Sequence, residues 1–105
     1  MSGVKVVPTL AALRARRQEI LRVAAEYGAS HIRVFGSVAR GQADELSDID
    51  LLVHMAEQPS GFAYFGRLED LRRALTALLE CPVDIMDVAA LRRMRARVLA
   101  EAVLL

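Results

Sequence analysis

Three aspartates and one glycine-serine pair are the residues of this sequence whose types and spacing could do chemistry. Asp48 and Asp50 open the apolar run 48–53, and Asp84 lies inside the later run 83–86. In a β-strand, residues i and i+2 share one face and lie about 6.6 Å apart along it. Asp48 and Asp50 can therefore point to the same side of one strand and converge on a common ligand.

Alternation along the two strands predicts that all three acids share one face of a sheet. Their neighbours Ile49, Leu51, Val53, Val83 and Ile85 would then meet the covering helices. Clustered carboxylates in a partly dry cleft repel one another, and one takes up a proton unless a cation intervenes. Carboxylate oxygens suit Mg²⁺, with Mn²⁺ as an alternative, and substrate phosphates can complete the coordination shell. No cluster of His and Cys suggests zinc.

The pair Gly36-Ser37 follows a short apolar run and could hold a phosphate. Gly36 lets a backbone N–H approach an anion without a Cβ in the way, and the Ser37 hydroxyl begins a helical turn with free N–H groups. Arg40 could clamp a phosphate or pair with Asp44 or Glu45, and the sequence leaves both open. We interpret the stretch as a phosphate-and-metal site for moving a nucleotide.

The elements that must position these residues alternate between helices and strands. Hydrophobic periodicity, caps and breakers place each one. We predict helices from a Thr9 cap to Gly28, over 61–80 and over 91–104, a helical turn over 37–42, and strands over 31–35, 47–54 and 83–86. The fold class is α+β: a small mixed sheet of three or more strands with helices packed on one face.

The helices also predict which residues are buried. We expect the arginines of the first helix to be solvated and His31 to be structural or exposed, whereas the sequence leaves the role of the arginines on the last helix open. Asp87 rivals Asp84 as the third acid but would point to the opposite face if the strand continues. The longest helix should bury one stripe: Phe62, Phe65, Leu68, Leu71, Leu75, Leu78 and Leu79. In the last helix the expected stripe is Leu91, Met94, Val98 and Ala102.

Length and composition set the remaining expectations. A chain of 105 residues is enough for one domain, here 1–105. Its single cysteine, Cys81, excludes an internal disulfide, and we expect it to be buried or half-buried. No signal peptide or membrane-length apolar run is evident, so we expect a cytoplasmic protein without a membrane partner. A net charge of +1 gives no electrostatic indication of nucleic-acid binding. The high apolar content, 54% hydrophobic residues with a mean hydropathy of +0.29, favours a surface that binds a protein partner.

The spacing of the site residues is recognisable. Gly36-Ser37, ten residues and then Asp48-Ile49-Asp50 resembles the signature of the minimal nucleotidyltransferases, a branch of the DNA polymerase beta-like superfamily. The segment 39–41 and Ser47 also match that branch, and Asp84 falls where the family places its third carboxylate. The resemblance covers nearly the whole chain, including the closing run 97–103, and it implies the polymerase beta-like nucleotidyltransferase fold.

The resemblance implies a reaction as well. Asp48 and Asp50 would hold two Mg²⁺ ions on the triphosphate of ATP, Asp84 would ligate the catalytic metal and help deprotonate an acceptor hydroxyl, and Gly36 and Ser37 would hold phosphates. Minimal nucleotidyltransferases are typically paired with an all-helical HEPN ribonuclease toxin from a neighbouring gene. There they act as antitoxins of a type VII-like pair that AMPylate a toxin tyrosine. A hetero-oligomer with that toxin follows.

Three other interpretations compete with this one. The first keeps the chemistry but makes the acceptor a small molecule or an RNA end. The second is a non-catalytic antitoxin that neutralises its toxin by binding alone, although an inert binder does not need three clustered carboxylates. The third makes the aspartates strand-entry caps without an ion.

Overall fold

The computed structural model describes residues 8–56, 62–91, 93 and 95–105. Their regular elements, in chain order, are α1 (Leu10–Ala15), α2 (Arg17–Glu26), β1 (Ala29–Phe35), α3 (Gly36–Ala39), β2 (Ile49–Met55), α4 (Phe62–Leu79), β3 (Val83–Asp87), a 3-10 turn (Val88–Ala90), α5 (Arg95–Glu101) and β4 (Val103–Leu104). No helix among these residues has the length and apolar character that crossing a bilayer requires.

The four strands form one mixed sheet in the order β3-β2-β1-β4. β1 runs antiparallel to both β2 and β4, whereas β2 and β3 are parallel. The parallel pair is joined through α4, as a parallel connection requires. The α+β fold class with a mixed sheet is therefore confirmed.

The main core lies between one sheet face and the helices α1, α2 and α4. Strand alternation supplies its sheet side, and each of the two long helices contributes one apolar stripe. The fully buried members include Ile20, Ile32, Val34, Ile49, Leu51, Val53, Leu71, Leu75 and Val83. The predicted inward side of β2 and β3 is thus confirmed.

A second, smaller core lies on the opposite face, where no cover was expected. Leu52 is fully buried there beside Val88 and Leu91. Phe35, Val98 and Leu99 pack against this group. Leu52 shares its face with Asp50 and is nevertheless covered, because the C-terminal segment returns across that face.

The N-terminal helix is divided at Arg16, although the sequence predicts it to be continuous. Thr9 caps α1 as expected, its hydroxyl accepting from the Ala12 N–H at 3.0 Å. Arg16 leaves helical geometry at ψ 19°, and its guanidinium donates to the Leu78 carbonyl at 2.7 Å. This arginine therefore ties α1 and α2 to the end of α4, since it satisfies a carbonyl that the helix terminus leaves free.

The inward stripe of α4 begins at Tyr64 and not at Phe65. Phe65 is 67% exposed, so its predicted burial is wrong. Tyr64, Leu68, Leu71 and Leu75 keep the helical spacing and face the core. The predicted Phe62 side chain lies outside the described residues.

The C-terminal segment differs most from prediction. The last helix spans only Arg95–Glu101, and Val103–Leu104 form a strand beside β1. Of its predicted stripe, Leu91 is buried, Val98 and Ala102 are half-buried, and Met94 lies outside the described residues. The helix ends where the sheet edge offers the chain new backbone partners: β4 pairs with β1, and the N–H of the following Leu105 donates to the Ile32 carbonyl at 2.9 Å.

Candidate active site

The acid site lies at the edge of the sheet where β1 ends and where β2 and β3 begin. Asp50 lies directly opposite Asp84 in the parallel register of β2 and β3. On its other side, Asp50 faces Phe35, the last residue of β1. The sheet therefore brings Asp50 and Asp84 together, and it places Gly36 immediately beyond the same row.

Asp48 comes from the loop that leads into β2 rather than from the strand itself. A closed turn precedes it: the Ser47 hydroxyl donates to Asp44 Oδ1 at 3.1 Å and accepts from the Asp44 N–H at 2.9 Å. The Ile49 N–H then donates to the Pro82 carbonyl at 2.9 Å, which aligns the starts of β2 and β3. These bonds fix the backbone on both sides of the exposed Asp48, whose carboxylate contributes to the raised pKa of Asp50.

The pKa of Asp50 is influenced by the other two acids. Burial, together with the carboxylates of Asp84 and Asp48, raises the pKa of Asp50, and the Arg40 guanidinium partly opposes this rise. Burial disfavours a carboxylate, and like charges nearby disfavour it further. Asp50 is therefore the acid whose charged form most needs a compensating cation.

Asp84 and Asp50 differ in access. Asp84 is exposed on β3, which is an edge strand, whereas Asp50 is half-buried on β2 between two neighbours. Asp87 lies on the opposite face, as predicted, and is 2% exposed. It accepts a hydrogen bond from the Tyr64 hydroxyl at 2.5 Å. Asp87 therefore belongs to the packing of α4 on the sheet.

The Gly36-Ser37 turn closes over the acids. Gly36 has φ +72°, a conformation that favours glycine, and begins the short α3. A Cβ at this position would overlap Asp50 Oδ2 and lie 3.2 Å from Asp50 Cγ. Glycine is favoured here for two separate reasons, the backbone angle and the close approach of the carboxylate.

Arg40 follows α3 and is exposed. Its Nε donates to Gln42 Oε1 at 3.1 Å, and within the described ranges no ion pair joins it to Asp44 or Glu45. The Asp44 carboxylate instead accepts from the Leu46 N–H and the Ser47 hydroxyl. Of the two roles left open by the sequence, pairing with Asp44 or Glu45 is not seen in the described part of the chain, whereas the positive charge of Arg40 opposes the rise in the pKa of Asp50.

The donor set suits a hard divalent cation. It consists of carboxylate oxygens without His or Cys, which fits Mg²⁺ or Mn²⁺. In the part of the chain that the structure describes, no three His, Cys, Asp or Glu side chains converge into a ready-made ion site. The acids thus form a facing pair, Asp50 and Asp84, with Asp48 as a third carboxylate close enough to perturb it.

Sequence reasoning missed Phe35 as a residue that supports the site. Phe35 precedes Gly36, faces Asp50 across the strands and packs on the second core. The alternation of β1 could have placed it on the acid-bearing face. That this face of the sheet is covered near Phe35 is evident only from the tertiary structure, in which α5 packs on it.

Comparison with known proteins identifies the family of this chain. The family model described as a nucleotidyltransferase domain matches residues 17–104. The protein adenylyltransferase MntA of Thermococcus cleftensis is 39% identical over 66 residues, which cover 63% of this chain and 63% of that protein. The match therefore spans less than two thirds of that relative.

Solved structures share the fold. One, assigned provisionally as a minimal nucleotidyltransferase, is 42% identical, covers 100% of both chains and superposes with a TM-score of 0.79. A second, a toxin-antitoxin crystal structure with AMP-PNP, is 25% identical with a TM-score of 0.57. It covers 70% of this chain and 57% of the other.

Proposed function

We propose that this chain, which belongs to the nucleotidyltransferase domain family, is an antitoxin that transfers AMP from ATP to a tyrosine hydroxyl of a HEPN-type ribonuclease toxin encoded by a neighbouring gene. The observation that carries the proposal is the row in which Asp84 faces Asp50 directly beside Gly36. It is supported by a relative that is a protein adenylyltransferase and by a toxin-antitoxin structure with AMP-PNP.

Asp50 and Asp84 differ in solvent exposure, and this difference supports separate roles for them in the reaction. Half-buried Asp50, together with Asp48, would hold Mg²⁺ and the nucleotide. The Gly36-Ser37 turn would take the phosphates, with Arg40 beside them. Bound Mg²⁺ would supply charge neutralisation for the triphosphate and for the departing pyrophosphate.

We assign Asp84 to the acceptor, and its exposed position on an edge strand supports this role. The acceptor oxygen forms a bond to the α-phosphorus while the bond to the bridging oxygen of the β-phosphate breaks. The hydroxyl proton passes to the Asp84 carboxylate, and pyrophosphate leaves. Positioning supplies most of the acceleration in such in-line transfers.

The test mixes the purified protein with the protein encoded by the neighbouring gene, ATP and Mg²⁺, and then weighs both intact. A gain of whole AMP units on the neighbour is expected. The variant Asp48→Asn/Asp50→Asn should abolish the gain, whereas Asp70→Asn, an exposed acid on α4, should leave it unchanged. An unmodified neighbour together with an AMP-labelled RNA or small molecule would contradict the choice of acceptor.

The same variant separates chemistry from binding in cells. If transfer neutralises the toxin, Asp48→Asn/Asp50→Asn should fail to rescue growth from the co-expressed neighbour. Full rescue by this variant would show that the chain neutralises its partner by binding alone.

A further inference from the structure

The helix α5 carries exposed arginines that the site does not use. Arg93, in the segment before the helix, and Arg95 and Arg97 within it are all exposed. Within the described ranges, ion pairs form only at Arg16, Arg72 and Arg73. Exposed helix cations are ordinarily just solvated, so their meaning depends on what surrounds them.

α5 lies on the acid-bearing face of the sheet. Its Val98 and Leu99 pack against the buried group of Leu52, Val88 and Leu91, on which Phe35 also packs. Leu52 follows Asp50 by two residues and shares its face, and Phe35 faces Asp50 in register. The arginines therefore belong to the segment that adjoins the site.

These cations lie outside the immediate field of the site. The charges that act on Asp50 come from Asp84, Asp48 and Arg40, and none comes from α5. Phosphates held at Asp50 and Gly36 would thus have Arg40 as their neighbouring cation.

Exposed apolar side chains lie at both edges of the sheet, in the same cross-strand row as Leu52, which α5 covers. One cross-strand row runs from Met86 through Leu52 and Arg33 to Leu104. Its two ends are 41% exposed at Met86 and 58% exposed at Leu104. Arginine and methionine beside apolar surface are typical of protein interfaces. Binding of single-stranded nucleic acid would favour aromatic platforms, and the exposed Phe65 lies on α4, across the sheet.

We propose that this acceptor surface, formed by Arg93, Arg95 and Arg97 with Met86 and Leu104, binds an acidic segment of the protein that accepts the nucleotide. Charge complementarity selects the acidic partner, since the three cations have no acidic partner among the described residues. Docking there would present the acceptor hydroxyl to the exposed Asp84. The inference rests on the proposed transfer and adds the surface that recognises its substrate.

The experiment measures binding of the purified neighbouring-gene protein to three forms of the full chain by calorimetry at low and physiological salt. The forms are wild type, Arg95→Glu/Arg97→Glu, and the control Arg14→Glu/Arg22→Glu, which makes the same charge change on exposed positions of α1 and α2. The α5 variant should bind about tenfold or more weakly, and the control less than about twofold. Salt should weaken wild-type binding more than that of the α5 variant, because screening acts on exposed charges.

The melting temperature with ATP and Mg²⁺ provides an independent readout, since ligand binding to the native state raises stability. All three forms should show the same rise. An α5 variant that loses this rise but keeps its partner would assign the arginines to the nucleotide and overturn the proposal. If both variants bound the neighbouring-gene protein equally weakly, the loss would be due to the change in net charge, and the proposal would also be overturned.

Two further outcomes separate this inference from the proposed function. Failure of the wild-type chain to bind the neighbour would overturn the docking surface, while a retained ATP-dependent rise would leave the nucleotide site intact. A single-stranded oligouridine that binds wild type but not the α5 variant, with neighbour binding unchanged, would assign the surface to RNA instead.

Discussion

At the scale of single residues, the site is defined by three carboxylates that the fold holds close together in a partly buried place. Asp50 is half-buried beside two other carboxylates, so its ionised form is disfavoured in the fold. Such an arrangement costs stability and is useful only if a cation binds. Function and stability should therefore oppose each other at this position.

The substitution Asp50→Asn should separate these two effects. In metal-free buffer at pH 7 we expect a melting temperature about 2–4 °C higher, on the order of 0.5 kcal/mol, because solvent screens a half-exposed charge. Transfer should fall by about 10²–10³-fold or more, and the stabilisation by ATP and Mg²⁺ should disappear. A variant that melts lower than wild type in metal-free buffer would show that Asp50 is a stabilising residue.

Gly36 and Gly41 offer a matched pair for testing the close approach to Asp50. Both have positive φ, +72° and +70°, but a Cβ at Gly41 would meet nothing within 4 Å. Alanine at either position should cost about 1–2 kcal/mol through the backbone angle. Only Gly36→Ala should also abolish the ATP-dependent rise in melting temperature. Retention of that rise in Gly36→Ala would show that the carboxylate can move aside.

At the scale of elements, α4 is fastened to the sheet by a tyrosine-carboxylate hydrogen bond. Tyr64 donates to the buried Asp87, whose other oxygen caps the 3-10 turn at the Ala89 N–H. Burial and then the hydrogen bond to Asp87 raise the pKa of Tyr64 to about 12. The bond thus aligns α4, β3 and the segment that leads to α5.

Tyr64→Phe should cost about 1.5–3 kcal/mol, the range for a hydrogen bond to a charged group. Because the folded pKa lies above the unfolded value near 10, the contribution is complete below pH 10 and is lost as the pH rises to about 12. Chemical denaturation at pH 9 and at pH 11.5 should show the difference between the two proteins shrinking. A difference that stays constant with pH would contradict this assignment.

At the scale of the whole molecule, two cores of unequal size share one sheet. The larger holds α2 and α4, and the smaller holds the C-terminal segment against Leu52. Phe35, which directly precedes Gly36, packs on the smaller core, so the C-terminal segment contributes to the packing next to the Gly36-Ser37 turn. The two cores should therefore be separable by mutation.

Leu52→Ala and Leu71→Ala remove equal volumes from fully buried positions in the two cores. Each should cost about 2–5 kcal/mol. Hydrogen exchange should accelerate in 95–104 selectively for Leu52→Ala, because local opening follows local packing. The Leu71→Ala protein serves as the matched control, and equal acceleration in both would show that the molecule opens as one unit.

Much of this protein follows from local pattern alone. Alternation placed Asp50 and Asp84 on one face and Asp87 on the other, and helical spacing placed Ile20, Leu71 and Leu75 in the core. The Thr9 cap and the Gly36 turn follow from side-chain and backbone chemistry that each residue carries with it. Such features depend on neighbours within a few positions, so the sequence by itself determines them.

Tertiary structure decided the features that depend on distant partners. The break at Arg16 reflects a carbonyl 62 positions away, and the two-residue β4 exists only because β1 offers a free edge. The burial of Leu52 and the packing next to Gly36 likewise depend on a chain segment that returns over the face bearing the acids. No local period encodes these contacts, because their energy comes from pairing groups that only the complete fold brings together.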